Sequence, residues 1–257
     1  MLVIEHTGSG DPARTLALLW RTQERVSRKG KPDLSVDRIV QAGITLADAD
    51  GLKALSMRRV AEALGVGTMS LYTYVPGKGE LIDVMVDTVQ AVTGREPAQG
   101  WRAHLTYVAR ENLALYRRHP WLLQVAPART VLGPQVAAKY DFELRGLEGV
   151  GLSDVEMDSV LNLVLGHVQN SARDLTAAAV TEKETGLTDQ QWWDAAAPVL
   201  MTVFDPARFP VAARVGAAVG EAHHSAFSPE HSFEFGLEMI LDGVARLVAS
   251  RGGVTPE

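Results

Sequence analysis

The sequence contains no cysteine among its 257 residues. That excludes disulfide staples, cysteine-ligated zinc, iron–sulfur clusters and thiol nucleophiles. No window approaches the ~18 consecutive apolar residues of a membrane span, so no membrane partner is expected. The opening stretch MLVIEHTGSGDPARTL lacks a basic start followed by a long apolar run. It therefore does not read as a signal peptide, and a reduced, cytoplasmic protein is expected. Catalytic signatures are missing as well: there is no HExxH, Walker loop, GxGxxG or GxSxG. The pair His223-His224 has no ligand spacing. We expect no enzyme, no cofactor and no bound metal.

What is present is an ordinary globular composition, 46% hydrophobic and 22% charged. The length suits one or two domains and a core that needs no staples. The net charge of −6 argues against nucleic acid until its distribution is read. Residues 1–95 hold 12 Lys/Arg and 11 Asp/Glu, a net of +1, whereas 96–257 hold 13 and 20, a net of −7. Between residues 12 and 32, Arg14, Arg21, Arg25, Arg28, Lys29 and Lys31 face only Glu24. Such an arm fits phosphate contact, and it equally fits a solvated leader.

The apolar spacing is helical nearly throughout, as in Ile39, Ala42, Gly43, Leu46 and Ala49. No alternating strand pattern with hairpin turns interrupts it, so the fold class is all-α. Helices are expected near 12–28, 35–50, 57–64, 68–74, 78–92, 101–118, 134–148, 153–183 and 230–249. Another should contain Trp192 and Trp193. Ser35 and Ser56 read as N-caps, and Ser153 with Glu156 as a capping box. The stretch 205–230, rich in Pro, Ala and Gly, reads as loop with weak helix. Three parts result: a basic arm over 1–32, a helix-turn-helix unit over 33–80 and a larger helical part over 81–257, with 93–100 as a plausible break.

Residues 35–80 carry the most information. Two short helices joined by a Gly-containing turn make the helix-turn-helix pattern. Gly65 supplies the positive φ of the turn. Ala61, Leu64, Val66 and Leu71 face inward. Thr68, Met69, Ser70, Thr73 and Tyr74 then form an outer face with hydroxyls, one methionine and no acid, suited to base edges in a major groove. Arg58, Arg59 and Lys78 flank it within reach of phosphates. The bland alternative is a generic three-helix cluster in a helical binding or adaptor protein that touches no DNA.

The segment ALSMRRVAEALGVGTMSLYTYVPGKGELIDVM resembles the DNA-binding domain of TetR-family transcriptional repressors, from Ser35 to about Val86. The helix, the LGV turn, the LY-x-Y reading helix and the following Lys match without gaps. The resemblance implies base or backbone contact for Arg58, phosphate or base contacts for Tyr72 and Tyr74, and a phosphate contact for Lys78. Two departures stand out. Gly67 replaces a common Ser cap, and Thr68 replaces a common Lys or Arg, removing one charge. The basic arm is a candidate to compensate along the DNA backbone.

WRAHLTYVARENLALYRRHPWL (101–122) and FEFGLEMILDGVARLV (233–248) resemble the regulatory domain of the tetracycline-repressor-like branch. This implies a homodimer on a double-stranded palindromic operator, released when a small molecule shifts the joining helix. It places the dimer interface on 153–183 and 230–249, where Leu161, Leu165, Val168, Phe233, Leu237, Ile240, Leu241 and Val244 are apolar at helical spacing. The same stripe also suits intramolecular core. For an effector pocket, the candidates are Trp101, His104, Tyr107, Trp121, Asn162, His167, Gln169, Asn170, Arg173, Trp192 and Phe204.

Overall fold

A computed structural model describes residues 5–8, 10–22, 34–92, 98–126 and 129–252. Within them run eleven α-helices: α1 (Pro12–Leu19), α2 (Val36–Asp50), α3 (Met57–Leu64), α4 (Thr68–Leu71), α5 (Lys78–Val89), α6 (Trp101–Arg118), α7 (Pro134–Arg145), α8 (Asp154–Thr185), α9 (Asp189–Val203), α10 (Pro210–His223) and α11 (Pro229–Ser250). The all-α class holds. Among the described residues it is joined by two short 3-10 turns, Leu52–Ala54 and Pro120–Gln124, and a parallel pairing of two-residue strands, β1 (Glu5–His6) and β2 (Val125–Ala126).

Most helix starts lie where the caps predict. The side chains of Ser35, Ser56 and Ser153 accept backbone N–H bonds from Arg38, Arg59 and Glu156. The Ser153–Glu156 capping box is complete, and Thr188 with Gln191 forms a second one. Three spans differ from the sequence reading. α1 stops at Leu19, and Trp20 and Arg21 already turn, Arg21 with a positive φ of 53°. α4 is a single turn, with residues 72–74 continuing as a turn rather than helix. The stretch read as loop holds the 14-residue α10. Its Pro210 sits at the first helical position, where a missing N–H costs nothing, and its alanines favour helix. It buries no residue, and its Pro, Ala and Gly content masks the helical spacing of Val211, Val215 and Val219.

Two apolar cores organise the chain. The first gathers α2, α3, α4 and α5 around Ile39, Val60, Leu71, Leu81, Ile82 and Met85. It reaches past the joining helix to Trp121, Leu122, Val125 and Val131. The second lies between α6, α8 and α11, around Leu105, Leu147, Val164, Leu237 and Leu241. α5 crosses α2 closely: a Cβ on Gly43 would lie 2.9 Å from the Met85 sulfur, so glycine sets the approach. Among the described residues, no helix is long and apolar enough to cross a membrane.

Candidate nucleic-acid interface

The geometry of α3 and α4 follows from local chemistry. Gly65 sits at φ 67°, ψ 30°, in the left-handed region. Val66 N–H donates to Ala61 O at 3.0 Å and Gly65 N–H to Glu62 O at 3.1 Å. This paired closure ends α3 and aims the chain into α4. Gly67 provides no side-chain cap. What holds α4 is Leu71, fully buried in the first core, with the N–H groups of Tyr74 and Val75 both donating to its carbonyl at 2.8 Å.

The outward face is thereby fixed. Met69 is 78% exposed and Tyr72 44%, with Ser70 and Thr73 also exposed and Thr68 half-buried. Tyr74 packs partly against the core, so its ring is largely a packing element. Arg58 projects from α3 and pairs with Glu62 at 2.9 Å across an exposed i,i+4 step. Such a pair is worth only about 0.3–0.5 kcal/mol, so a phosphate can replace the carboxylate. Arg59 is placed differently from its flanking-phosphate reading. It reaches back to Asp50 at 2.6 Å and to the Ala54 carbonyl at 3.3 Å, tying α3 to the end of α2. Lys78 is half-buried at the first position of α5.

Of the basic arm, Arg25, Arg28, Lys29 and Lys31 lie outside the described residues. Arg21 is engaged within the chain, bonded to the Leu18 carbonyl and, at 2.6 Å, to Asp37 of α2. The segment before it folds back over the joining helix. Gly8 N–H donates to Asp83 Oδ1 of α5 at 3.1 Å, Thr7 Oγ1 to Arg129 O at 2.5 Å, and Trp20 Nε1 to Leu132 O at 2.9 Å.

Two carboxylates on α5 are buried one turn apart, Asp83 and Asp87. Burial pushes both upward from the usual carboxylate value, opposed by the backbone N–H groups they accept. Asp87 Oδ1 accepts from Gln135 N–H at 3.0 Å and Val136 N–H at 2.9 Å, at the start of α7.

An open cavity of about 210 Å³ lies beneath α5. Val86 of α5 and its C-cap Gln90, Tyr116 of α6, Val136 of α7 and Gln169 of α8 line it, with Thr7, Leu122, Val125, Arg129, Thr130 and Val131. Burial raises the Tyr116 phenol, while nearby Arg173 and a hydrogen bond to Gln169 lower it. Gln90 Oε1 is buried with no hydrogen-bond partner among the described residues.

Most sequence candidates for the pocket lie elsewhere. Trp121 belongs to the first core, and its indole N–H donates to Asp48 of α2 at 2.8 Å. Trp101 is in the second core. His104 and His167 are structural rings at helix crossings. His104 Nε2 bonds Phe142 O at 3.1 Å and His167 Nε2 bonds Phe233 O at 2.9 Å. A Cβ on Gly146 or Gly236 would strike these two rings at 2.2 and 2.4 Å. Burial holds His104 below the ordinary histidine value. Tyr107 lines a separate cleft with Glu111, Lys139 and Glu143. Asn162 and Asn170 bond Asp158 and Asp174 on their own helix. Arg173 and Trp192 are exposed, and Phe204 packs on Phe209 at a centroid distance of 5.7 Å. Of the sequence candidates, Gln169 lines the cavity. Tyr116, Gln90 and the valines were missed because they come from separate elements that only the fold assembles.

The apolar stripe assigned to a dimer interface also changes place. Val168, Phe233, Leu237, Leu241 and Val244 are buried inside the chain, in the core shared by α6, α8 and α11, and Leu161 is buried as well. Leu165 and Ile240 are partly exposed at its edge. Apolar residues left outside include Val155, Leu163 and Val180 on α8 and Phe235 and Met239 on α11. Sequence spacing reports an apolar face without saying which neighbour covers it.

Residues 39–85 match the family described as "Bacterial regulatory proteins, tetR family", and residues 93–248 match "Tetracyclin repressor-like, C-terminal domain". The HTH-type transcriptional repressor DrrR1 of Streptomyces coeruleorubidus is 48% identical over 254 residues, covering 97% of this chain and 91% of that protein. The tetracycline repressor protein class E of Escherichia coli is 26% identical over 82% of this chain and 90% of its own length. Among solved structures, Streptomyces coelicolor ActR in complex with actinorhodin superposes with a TM-score of 0.69 at 27% identity, covering 83% of this chain and 96% of that one. These families and relatives are transcriptional regulators, not enzymes.

Proposed function

Since this chain belongs to the TetR family of bacterial regulatory proteins, we propose that it represses transcription as a homodimer on a palindromic operator and releases it when a small molecule fills the cavity beneath α5. The observation that carries the DNA half is the face of α4. Met69, Ser70, Tyr72 and Thr73 point outward without an acid among them, on a turn anchored by a fully buried Leu71. A single short helix reads only a few base pairs, so two copies on a two-fold site supply the missing specificity. Residues 33–80 form the reading head. The remainder from 81 onward senses and dimerises, with α5 as the beam between them. Arg58, Thr68, Met69, Ser70, Tyr72, Thr73 and Lys78 are the contacts we assign to DNA.

The cavity supports the effector half. Five of its eleven lining residues are valine or leucine, and Tyr116, Gln169, Arg129, Thr7, Thr130 and Gln90, whose Oε1 has no partner among the described residues, are its polar handles. The ligand it suits is an apolar molecule carrying at least one hydrogen-bond donor for Gln90. That ActR was solved with actinorhodin supports a small molecule as the effector class. Of the exposed apolar residues of α8 and α11, Leu163, Phe235 and Met239 are the surface we assign to the second copy.

The test is selection of bound sequences from a random DNA pool, then gel shifts of the winner at several salt concentrations. The expected result is a palindrome whose binding weakens on Tyr72→Ala or Lys78→Ala and falls steeply with salt. Recovery of no motif, or binding indifferent to both substitutions, rejects the reading.

A further inference from the structure

α7 begins without a cap of its own. Its N-cap residue is Gly133, which has no side chain, and Pro134 at the first helical position has no N–H. The N–H groups left to satisfy are those of Gln135 and Val136, and both donate to the same oxygen, Oδ1 of Asp87. A helix start that is normally capped from its own chain position is capped here from α5, the joining helix. The sterics agree. A Cβ on Gly133 would lie 2.1 Å from that carboxylate oxygen and 2.3 Å from its carbon. Gly133 has an ordinary extended conformation, φ −94° and ψ 165°, so glycine is needed there for space rather than for backbone freedom. Asp87 is 4% exposed, and its negative charge faces the positive end of the α7 dipole.

The position of this joint matters. Val86 of α5 and its C-cap Gln90 bracket Asp87, Val136 is one of the residues it caps, and all three line the cavity. At its other end, α5 is packed through Leu81, Ile82 and Met85 into the core that carries α3 and α4. We infer that Asp87 is the positioning residue that couples the cavity to the reading head. It fixes the α5–α7 separation, so a molecule wedged between their side chains moves α5 through this cap. The inference rests on the functional reading above and adds the residue through which it works. Coupling of this kind is reciprocal, so DNA bound at α4 must be felt at α7.

That reciprocity gives a test needing no effector. Amide exchange is followed over residues 134–145, with and without the selected operator duplex, in the full-length protein. In the wild type, duplex should slow exchange at the start of α7 by about three-fold or more. Asp87→Ala alone should lower the thermal midpoint and abolish the response. The informative variant is Asp87→Ala/Gly133→Ser. Removing the carboxylate makes room for a side chain at 133, and the introduced serine caps α7 locally while leaving α5 unlinked. It should recover most of the thermal midpoint and still bind duplex, yet show no DNA-dependent slowing in α7. If slowing persists in the double variant, or α7 ignores duplex in the wild type, Asp87 has only a structural role and the inference is wrong. Failure of the wild type to retard any duplex rejects the DNA-reading assignment itself, a separate outcome seen in the gel shift, and the inference falls with it.

Discussion

Helices α4 and α10 make an instructive pair. α4 has four residues and α10 has fourteen. The shorter one buries Leu71 completely, whereas the longer one buries nothing. Isolated helices shorter than about 12–15 residues are marginal in water, so neither sequence is expected to stand by itself. α4 persists because one leucine is locked into a core built by three other helices. Within one chain α10 makes only glancing contacts, Gly220 against Trp193 and His223 against His231, and it leaves Val211 and Val215 facing outward. Length therefore says little about how firmly a helix is held. A mostly exposed helix bearing valines invites a cover from outside the chain, and the second copy we propose would supply it.

The comparison can be broken at several points. Leu71→Ala should have the largest effect, about 2–5 kcal/mol of stability lost in a denaturant titration, with operator binding lost alongside. A stability change below about 0.5 kcal/mol would mean α4 is not anchored as described. Val211→Asp should do the opposite. Unfolding of the monomer should move by less than about 0.5 kcal/mol, while dimer dissociation in sedimentation experiments rises about ten-fold. An unchanged dissociation constant would take α10 out of the interface. Tyr72→Ala, on the exposed side of the reading turn, should leave the thermal midpoint in place and lower operator affinity by about ten-fold.

The smallest effect concerns a helix end. Glu156 is lowered to about 2 by the Ser153 backbone N–H, then by Arg251 from beyond α11 and by the Ser153 hydroxyl. A depressed carboxylate contributes fully above its unfolded value near 4.5 and loses that contribution as pH falls toward 2. The difference in thermal midpoint between wild type and Glu156→Gln should therefore close within that window. A gap that stays constant down to pH 2 would mean the capping box does not act through its charge.

The same contrast explains what was legible in the sequence. The reading head was visible because its signals are local: Ser56 caps, Gly65 turns, Leu71 anchors, and all lie within sixteen residues of one another. The all-α class was visible from periodicity. α10 was missed because its Pro, Ala and Gly content outweighed the i, i+4 spacing of Val211, Val215 and Val219. The His104 and His167 rings misled because glycine neighbours from other helices, Gly146 and Gly236, decide their surroundings. The cavity was invisible for the same reason, its walls coming from α5, α6, α7 and α8 at once. Arg59 was half legible: its position on α3 is as expected, but its partner Asp50, nine residues earlier on α2, was not.

The N-terminal strap carries a consequence for how the chain acquires its shape. Thr7 and its partner Arg129 are separated by 122 positions, whereas the turn around Gly65 closes over five. During synthesis the strap must wait while the reading head, the joining helix and all of α6 follow it out of the ribosome. Closing so long a loop comes late, after the local contacts have formed. Until then Asp83 has no Gly8 amide to accept, and α5 is held on one side only. The turn of the proposed reading head thus forms before the clasp that fastens α5, and the core it shares with Trp121, Leu122, Val125 and Val131 closes only once that later segment has emerged.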